Sequence, residues 1–154
     1  MSFYQLQRTQ KIPAPIETVW EFISSPKNLK TITPPSMGFD IISSGDIESM
    51  YAGMIIAYKV KPVFNIPVTW VTEITHVQNL KYFVDEQRIG PYRLWHHQHK
   101  ITAIDGGTLM EDIVTYQLPF GIIGSIVHAL LVRKKLESIF NYRFTAVEKL
   151  FGKF

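Results

Sequence analysis

Two histidines one residue apart, His97 and His99, stand closest to a chemical motif in this chain. In an extended strand, side chains two apart share a face, so both imidazoles and Trp95 point the same way while His96 and Gln98 point the other. The dipeptide Asp105-Gly106 predicts a two-residue hairpin turn, because glycine takes positive φ cheaply. Such a turn pairs Ile104 with Gly107. It sets His99 opposite Asp112, His97 opposite Val114 and Trp95 opposite Tyr116. A Gly106-Gly107 turn would shift these pairs by two and keep the faces. On the other flank Gly90-Pro91 turns with two or three residues, so either Asp85 and Gln87 or Glu86 joins the same face.

Imidazoles beside carboxylates admit several chemistries. In a cavity they orient the polar end of a mostly apolar ligand. Buried, with their pKa moved towards neutrality, His97 or His99 with Asp85, Glu86 or Asp112 would suit general acid-base work. As ordinary cross-strand pairs they only stabilise a sheet. His97-x-His99 with Asp112 or Glu111 also offers ligand types for zinc or a non-haem metal. The spacing fixes no third ligand, and the sequence reading assigns no metal, no cofactor and no catalytic residue. The expected ligand-binding set is Trp95, His97, His99, Asp112, Tyr116, Asp85, Gln87 and, from the last helix, Phe140.

Other chemistries lack their residues. The chain has 154 residues and no cysteine, which removes disulfides, thiolate metal sites and cysteine nucleophiles. It carries no G-x-S-x-G, P-loop or G-x-G-x-x-G; Gly121-Ile122-Ile123-Gly124 reads as a close helix-to-sheet approach. A net charge of +3 without a block of like charges argues against nucleic acid. The first residues show no signal-peptide pattern and the longest apolar run, Leu118 to Val132, is shorter than a membrane span. With the missing cysteines this makes the cytoplasm the expected compartment. Arg133-Lys134-Lys135 and Arg143 read as a solvated helix face, with transient membrane contact left open.

The elements that must position the candidates follow from periodicity. Phe3 to Ile12 reads as a strand. Ile16, Val19, Trp20 and Ile23 recur as one face of a short helix entered at Pro15. Lys27 to Ile32 reads as a second short helix. Strands are expected over Gly38–Ser44, Met54–Val60, Ile66–Val77, Leu80–Ile89, Tyr92–Ile104 and Thr108–Leu118. Pro119 to Phe154 then reads as one long helix ended at Gly152, with Leu136, Ile139, Phe140, Phe144, Val147, Leu150 and Phe151 on its apolar face. Ten Phe, seven Tyr and three Trp suit a large core or a greasy cavity. Trp20, Phe22, Phe64, Trp70, Phe83, Trp95, Tyr116, Phe140 and Phe144 are expected mostly in that core. Consecutive strands with short connections argue an antiparallel sheet. The fold class is therefore α+β: a single domain over residues 1–154, in which about seven strands curl around a long C-terminal helix.

The stretch Pro13-Ala14-Pro15-Ile16-Glu17-Thr18-Val19-Trp20-Glu21-Phe22-Ile23, followed by Ser25-Pro26-Lys27-Asn28-Leu29, resembles the opening of the START/Bet v 1-like (SRPBCC) superfamily. Further stretches resemble a bacterial ligand-binding subgroup: Phe83 to Gln87, Gly90 to His99, Asp112 to Gly121, and Arg133 through Ile139-Phe140-Asn141-Tyr142-Arg143. Domains of that kind are sometimes joined to, or encoded near, epimerase-like proteins labelled cell-division inhibitors. The resemblance implies a helix-grip fold and non-catalytic binding or transport of a small hydrophobic or amphipathic ligand. It leaves two alternatives, a polyketide cyclase/dehydratase-like enzyme and an interaction module for an epimerase-like partner.

Overall fold

The computed structural model describes residues 2–43, 48–61, 66–119, 126 and 131–154. The expected turn at Ser44-Gly45-Asp46, the apolar segment around Phe64, the Gly121/Gly124 pair and most of the first half of the expected long helix lie outside them.

Strand β1 (Tyr4–Ile12) leads into helix α1 (Ile16–Ile23), which begins beside Pro15 and buries Val19, Trp20 and Ile23. Two 3₁₀ turns follow, Pro26–Lys30 and Pro35–Met37. Next come β2 (Asp40–Ile41), β3 (Met54–Val60), β4 (Val68–Gln78), β5 (Tyr82–Ile89), β6 (Leu94–Ile104), β7 (Gly107–Gln117) and α2 (Arg133–Phe151). All seven strands form one antiparallel sheet in the order β1-β7-β6-β5-β4-β3-β2. From β2 to β7 sequential strands are neighbours, while β1 pairs with β7, which places the last hairpin beside the first strand and β1 and β2 at opposite edges.

Two expectations are corrected here. The second short helix is a 3₁₀ turn; Pro26 opens it, Thr31 N–H bonds Asn28 oxygen, and the prolines at 34 and 35 prevent its extension. Of the strand expected over Gly38–Ser44, the described residues keep Asp40–Ile41: Gly38 takes φ +54 ahead of it, and after it Ile42 and Ser43 N–H both bond Ala57 oxygen, which breaks the ladder.

The β6–β7 hairpin has the register that a two-residue turn requires. Ile104 pairs with Gly107, His99 with Asp112, His97 with Val114 and Trp95 with Tyr116. Gly106 stands at φ +80. Gly107 has a different reason: a Cβ there would run into the carbonyl of Ile12, where β1 crosses β7 beside the buried Thr108. Thr108 Oγ1 donates to Ala14 oxygen at 2.8 Å and fixes the bend from β1 into α1.

Helix α2 lies on the concave face of the sheet. Leu136, Phe140 and Val147 are buried, and Gln10 Nε2 donates to Phe144 oxygen at 2.9 Å. The apolar face is rotated from the expected one, for Phe144 is 40% and Leu150 48% exposed. From Phe140 the inward line continues through Arg143, not Phe144, to Val147. A buried carboxylate beneath Arg143 accounts for that phase. Gly152, at φ +97, ends the helix as expected. Among the described residues no helix is long and apolar enough to cross a membrane.

Gly107→Ala should lower unfolding free energy by roughly 1–3 kcal/mol, the usual range for forced overpacking. Urea unfolding followed by tryptophan fluorescence checks this, with no loss at all as the contrary result.

Candidate functional site

Strands β5, β6 and β7 each send one carboxylate or imidazole, or a pair of them, to the concave face, and α2 sends an arginine to meet them. His97 and His99 are two apart on β6, and their rings lie 3.7 Å apart. Asp85 on β5 is directly opposite His97, and Asp112 on β7 is directly opposite His99. Each imidazole therefore stands between two carboxylates. His97 Nε2 is 2.8 Å from Asp112 Oδ1, and its Nδ1 is 3.4 Å from Asp85 Oδ2. His99 Nδ1 is 3.1 Å from the same Asp112 oxygen, and its Nε2 is 2.7 Å from the same Asp85 oxygen. Arg143 donates to Asp112 Oδ1 at 3.0 Å, and Trp95 Nε1 donates to Asp85 Oδ1 at 3.3 Å.

Burial sets the charges. His97, His99 and Asp112 are buried, and Asp85 is mostly so. Burial would keep Asp112 protonated, but the Arg143 guanidinium and the two imidazoles hold its carboxyl well below the usual range. Asp85 also overcomes burial, through the charge of His97 and the hydrogen bond of His99, and its pKa falls. The two histidines part company. Burial and the neighbouring His99 push His97 down. For His99 burial acts in the same direction, yet its bonds to Asp112 and Asp85 win and its pKa rises. The box thus gathers two carboxylates held ionised, one guanidinium and two imidazoles, of which His99 keeps its second proton to higher pH than His97. Opposite charges that face one another at hydrogen-bond distance are what a low-dielectric site tolerates. A neutral His97 that donates through Nε2 to Asp112 keeps its Nδ1 lone pair on the Asp85 side.

A cavity of about 140 Å³ lies against this box. Asp85, His97, His99 and Arg143 form one part of its wall, while the rest is mainly apolar or aromatic and includes Phe39, Ile56, Trp70, Tyr92, Leu136 and Phe140. Tyr58 and Thr72 add a second polar spot, joined by a 2.8 Å hydrogen bond, and Trp70 Nε1 donates to the same Thr72 hydroxyl at 3.1 Å. Burial raises the Tyr58 phenol pKa, so the hydroxyl stays protonated. Cavities on the order of 150 Å³ accept a molecule of benzene size.

Of the residues expected at the site from sequence, Trp95, His97, His99, Asp85 and Phe140 line the cavity. Asp112 stands behind the imidazoles and holds them. Tyr116 is buried among Val114, Val132, Leu136 and Phe140, beside the cavity wall. Gln87 shares the face with Asp85 but serves the neighbouring turn: its amide donates to Tyr92 oxygen at 2.6 Å and accepts from Tyr92 N–H at 3.1 Å. Glu86, the alternative to that pair, points the other way to His96, 2.8 Å distant. Sequence reasoning missed Arg143 by leaving it on a solvated face. Its signal was the spacing, three after Phe140 and four before Val147 on the buried line of the helix. Tyr58, Trp70 and Tyr92 also line the cavity without having been singled out for it.

The fold has relatives of known structure. Protein CV1439 from Chromobacterium violaceum superposes with a TM-score of 0.71 at 10% identity, covering 97% of this chain and 99% of that one. Ara h 8.0201 matches with a TM-score of 0.61 at 13% identity, over 96% and 99%. The fold is Bet v 1-like. Its sheet, helix after the first strand and long C-terminal helix are those of the helix-grip class. A third match is to the nucleoside-diphosphate sugar epimerase from Corynebacterium glutamicum, with a TM-score of 0.65 at 22% identity, covering 94% of this chain and 28% of that one. No family model matches the sequence, and no curated protein matches it.

Arg143→Met should cost about 3–5 kcal/mol of stability, the usual loss when one partner of a buried pair is removed and the other is left charged. Arg143→Met with Asp112→Leu in one chain should recover much of that loss. Urea unfolding of both variants checks the pair, and an unchanged midpoint for Arg143→Met would contradict the box.

Proposed function

We propose that this protein binds a small hydrophobic or amphipathic molecule, without chemical change, in the cavity between its sheet and its C-terminal helix. The observation that carries this reading is the division of the cavity wall. Aromatic and aliphatic side chains make up most of it, and the charged and titratable groups are Asp85, His97, His99 and Arg143, which cluster together, and Lys135 from α2. Apolar burial would supply affinity, at roughly 25 cal/mol per Å² before the costs of association. The charged corner would select the polar end and fix its orientation. Leu136 and Phe140 belong to α2, so the same helix face closes the fold and lines the ligand space.

The test is uptake of fluorescent amphiphiles and aromatic probes by protein freed of carried-over ligand. Leu136→Trp, which fills the space, should weaken uptake by tenfold or more while circular dichroism stays native. Uptake that is absent in the wild type for every class, or unaffected by Leu136→Trp, counts against the proposal.

Two other readings have one observation each. His97, with Nδ1 facing Asp85 and Nε2 facing Asp112, is suited to proton transfer in a polyketide cyclase/dehydratase-like enzyme. On that reading His97→Gln removes turnover and leaves ligand uptake in place. The similarity to part of an epimerase chain favours an interaction module for an epimerase-like partner, which would appear as co-purification regardless of cavity occupancy.

A further inference from the structure

We propose that Asp85, His97 and His99 form a binding site for one divalent transition-metal ion at the charged end of the cavity. One ligand atom from each residue falls in a group whose members all lie within 4.8 Å of one another. The atoms can be named. His97 Nδ1 and His99 Nε2 both face Asp85 Oδ2, at 3.4 Å and 2.7 Å. Around a tetrahedral ion with bonds near 2.0–2.1 Å, neighbouring ligand atoms stand about 3.4 Å apart. The His97–Asp85 edge already has that length. The His99–Asp85 edge must open by a few tenths of an ångström as the ion replaces the bridging proton.

A second feature lies on the far side of the rings. Metal-bound histidines usually hand their other ring N–H to a carboxylate, which fixes tautomer and orientation. Here both remaining nitrogens, His97 Nε2 and His99 Nδ1, meet the single oxygen Asp112 Oδ1, at 2.8 Å and 3.1 Å. Asp112 is in turn anchored by Arg143 and Asp85 by Trp95. An ordinary histidine-carboxylate pair needs one contact. This arrangement gives two imidazoles a common inner partner and a common outer one.

Charge agrees. With both histidines neutral, Asp85, Asp112 and Arg143 sum to minus one, and a divalent ion brings the buried site to plus one. That surplus suits a water-derived hydroxide or an anionic ligand group. All three ligating residues line the cavity, so the remaining coordination positions open towards it. Two imidazoles and one carboxylate without thiolate suit Zn²⁺, Fe²⁺ or Co²⁺ over Mg²⁺ or Ca²⁺.

Sequence pointed to His97 and His99 but offered Asp112 or Glu111 as the carboxylate. The structure exchanges those for Asp85, because the β5–β6 register brings Asp85 directly across from His97. The inference stands apart from the ligand proposal: a protein that takes up amphiphiles but no metal defeats this one and spares the other.

The experiment is titration of chelator-treated full chain with Co²⁺, read by visible absorption, followed by displacement with Zn²⁺. The expected result is one Co²⁺ per chain, with an intense low-symmetry d–d band that one equivalent of Zn²⁺ removes. His97→Ala and Asp85→Asn should abolish the band. Asp112→Asn should weaken Co²⁺ binding 10- to 100-fold, the usual effect of losing the carboxylate behind a ligand. His96→Ala, on the opposite face, should leave it unchanged. A wild-type spectrum that remains that of the aquo ion overturns the site, whatever the variants do. So does a band that survives in folded His97→Ala or disappears in His96→Ala.

Discussion

The carboxylate of Asp112 is the fixed point of this molecule. It is almost fully buried on an interior strand of the antiparallel sheet and could not remain ionised there without compensation. The compensation comes from two directions. His97 and His99 reach it within the sheet, and Arg143 reaches it from the helix above. A single oxygen thus ties β6, β7 and α2 together, and Asp85 extends the tie to β5 through the same imidazoles.

That tie explains two features which packing would not produce unaided. Helix α2 turns an arginine inward and leaves Phe144 and Leu150 substantially exposed, against the preference of those side chains for the core. The concave face of the sheet keeps its charges together and its aromatic residues around them. Phe83 stacks on His99 with ring centroids 4.1 Å apart, and Phe140 meets His97 at 5.7 Å. Buried polar clusters are costly when incomplete and specific when complete. In this fold the cluster sets the rotation of the helix over the sheet, and so the shape of the space between them.

How much of this was legible in the sequence varies with the range of the interaction. The β6–β7 pairing was readable because Asp105-Gly106 constrains a local turn, and local turns fix register for the whole hairpin. Asp85 was readable only as one of two alternatives. The turn at Gly90-Pro91 has no single length, and β4–β5 contains register shifts that sequence does not announce. Arg143 was not readable as a site residue, since a charge on a helix defaults to solvent unless its buried partner is known, and that partner lies 31 residues earlier. Identity to the similar structures is low, from 10% in CV1439 to 22% in the epimerase, so the fold was legible through periodicity, turn chemistry and the local stretches that resemble the superfamily's opening.

The charge state of the two imidazoles tests the account most directly. Nitrogen-15 NMR of uniformly labelled, metal-stripped protein distinguishes a doubly protonated ring from each neutral tautomer. As the pH is varied, His99, whose ring nitrogens are held by Asp85 and Asp112, should keep its second proton to higher pH than His97. Two rings that titrate together, or a His97 that stays protonated to higher pH than His99, would contradict it.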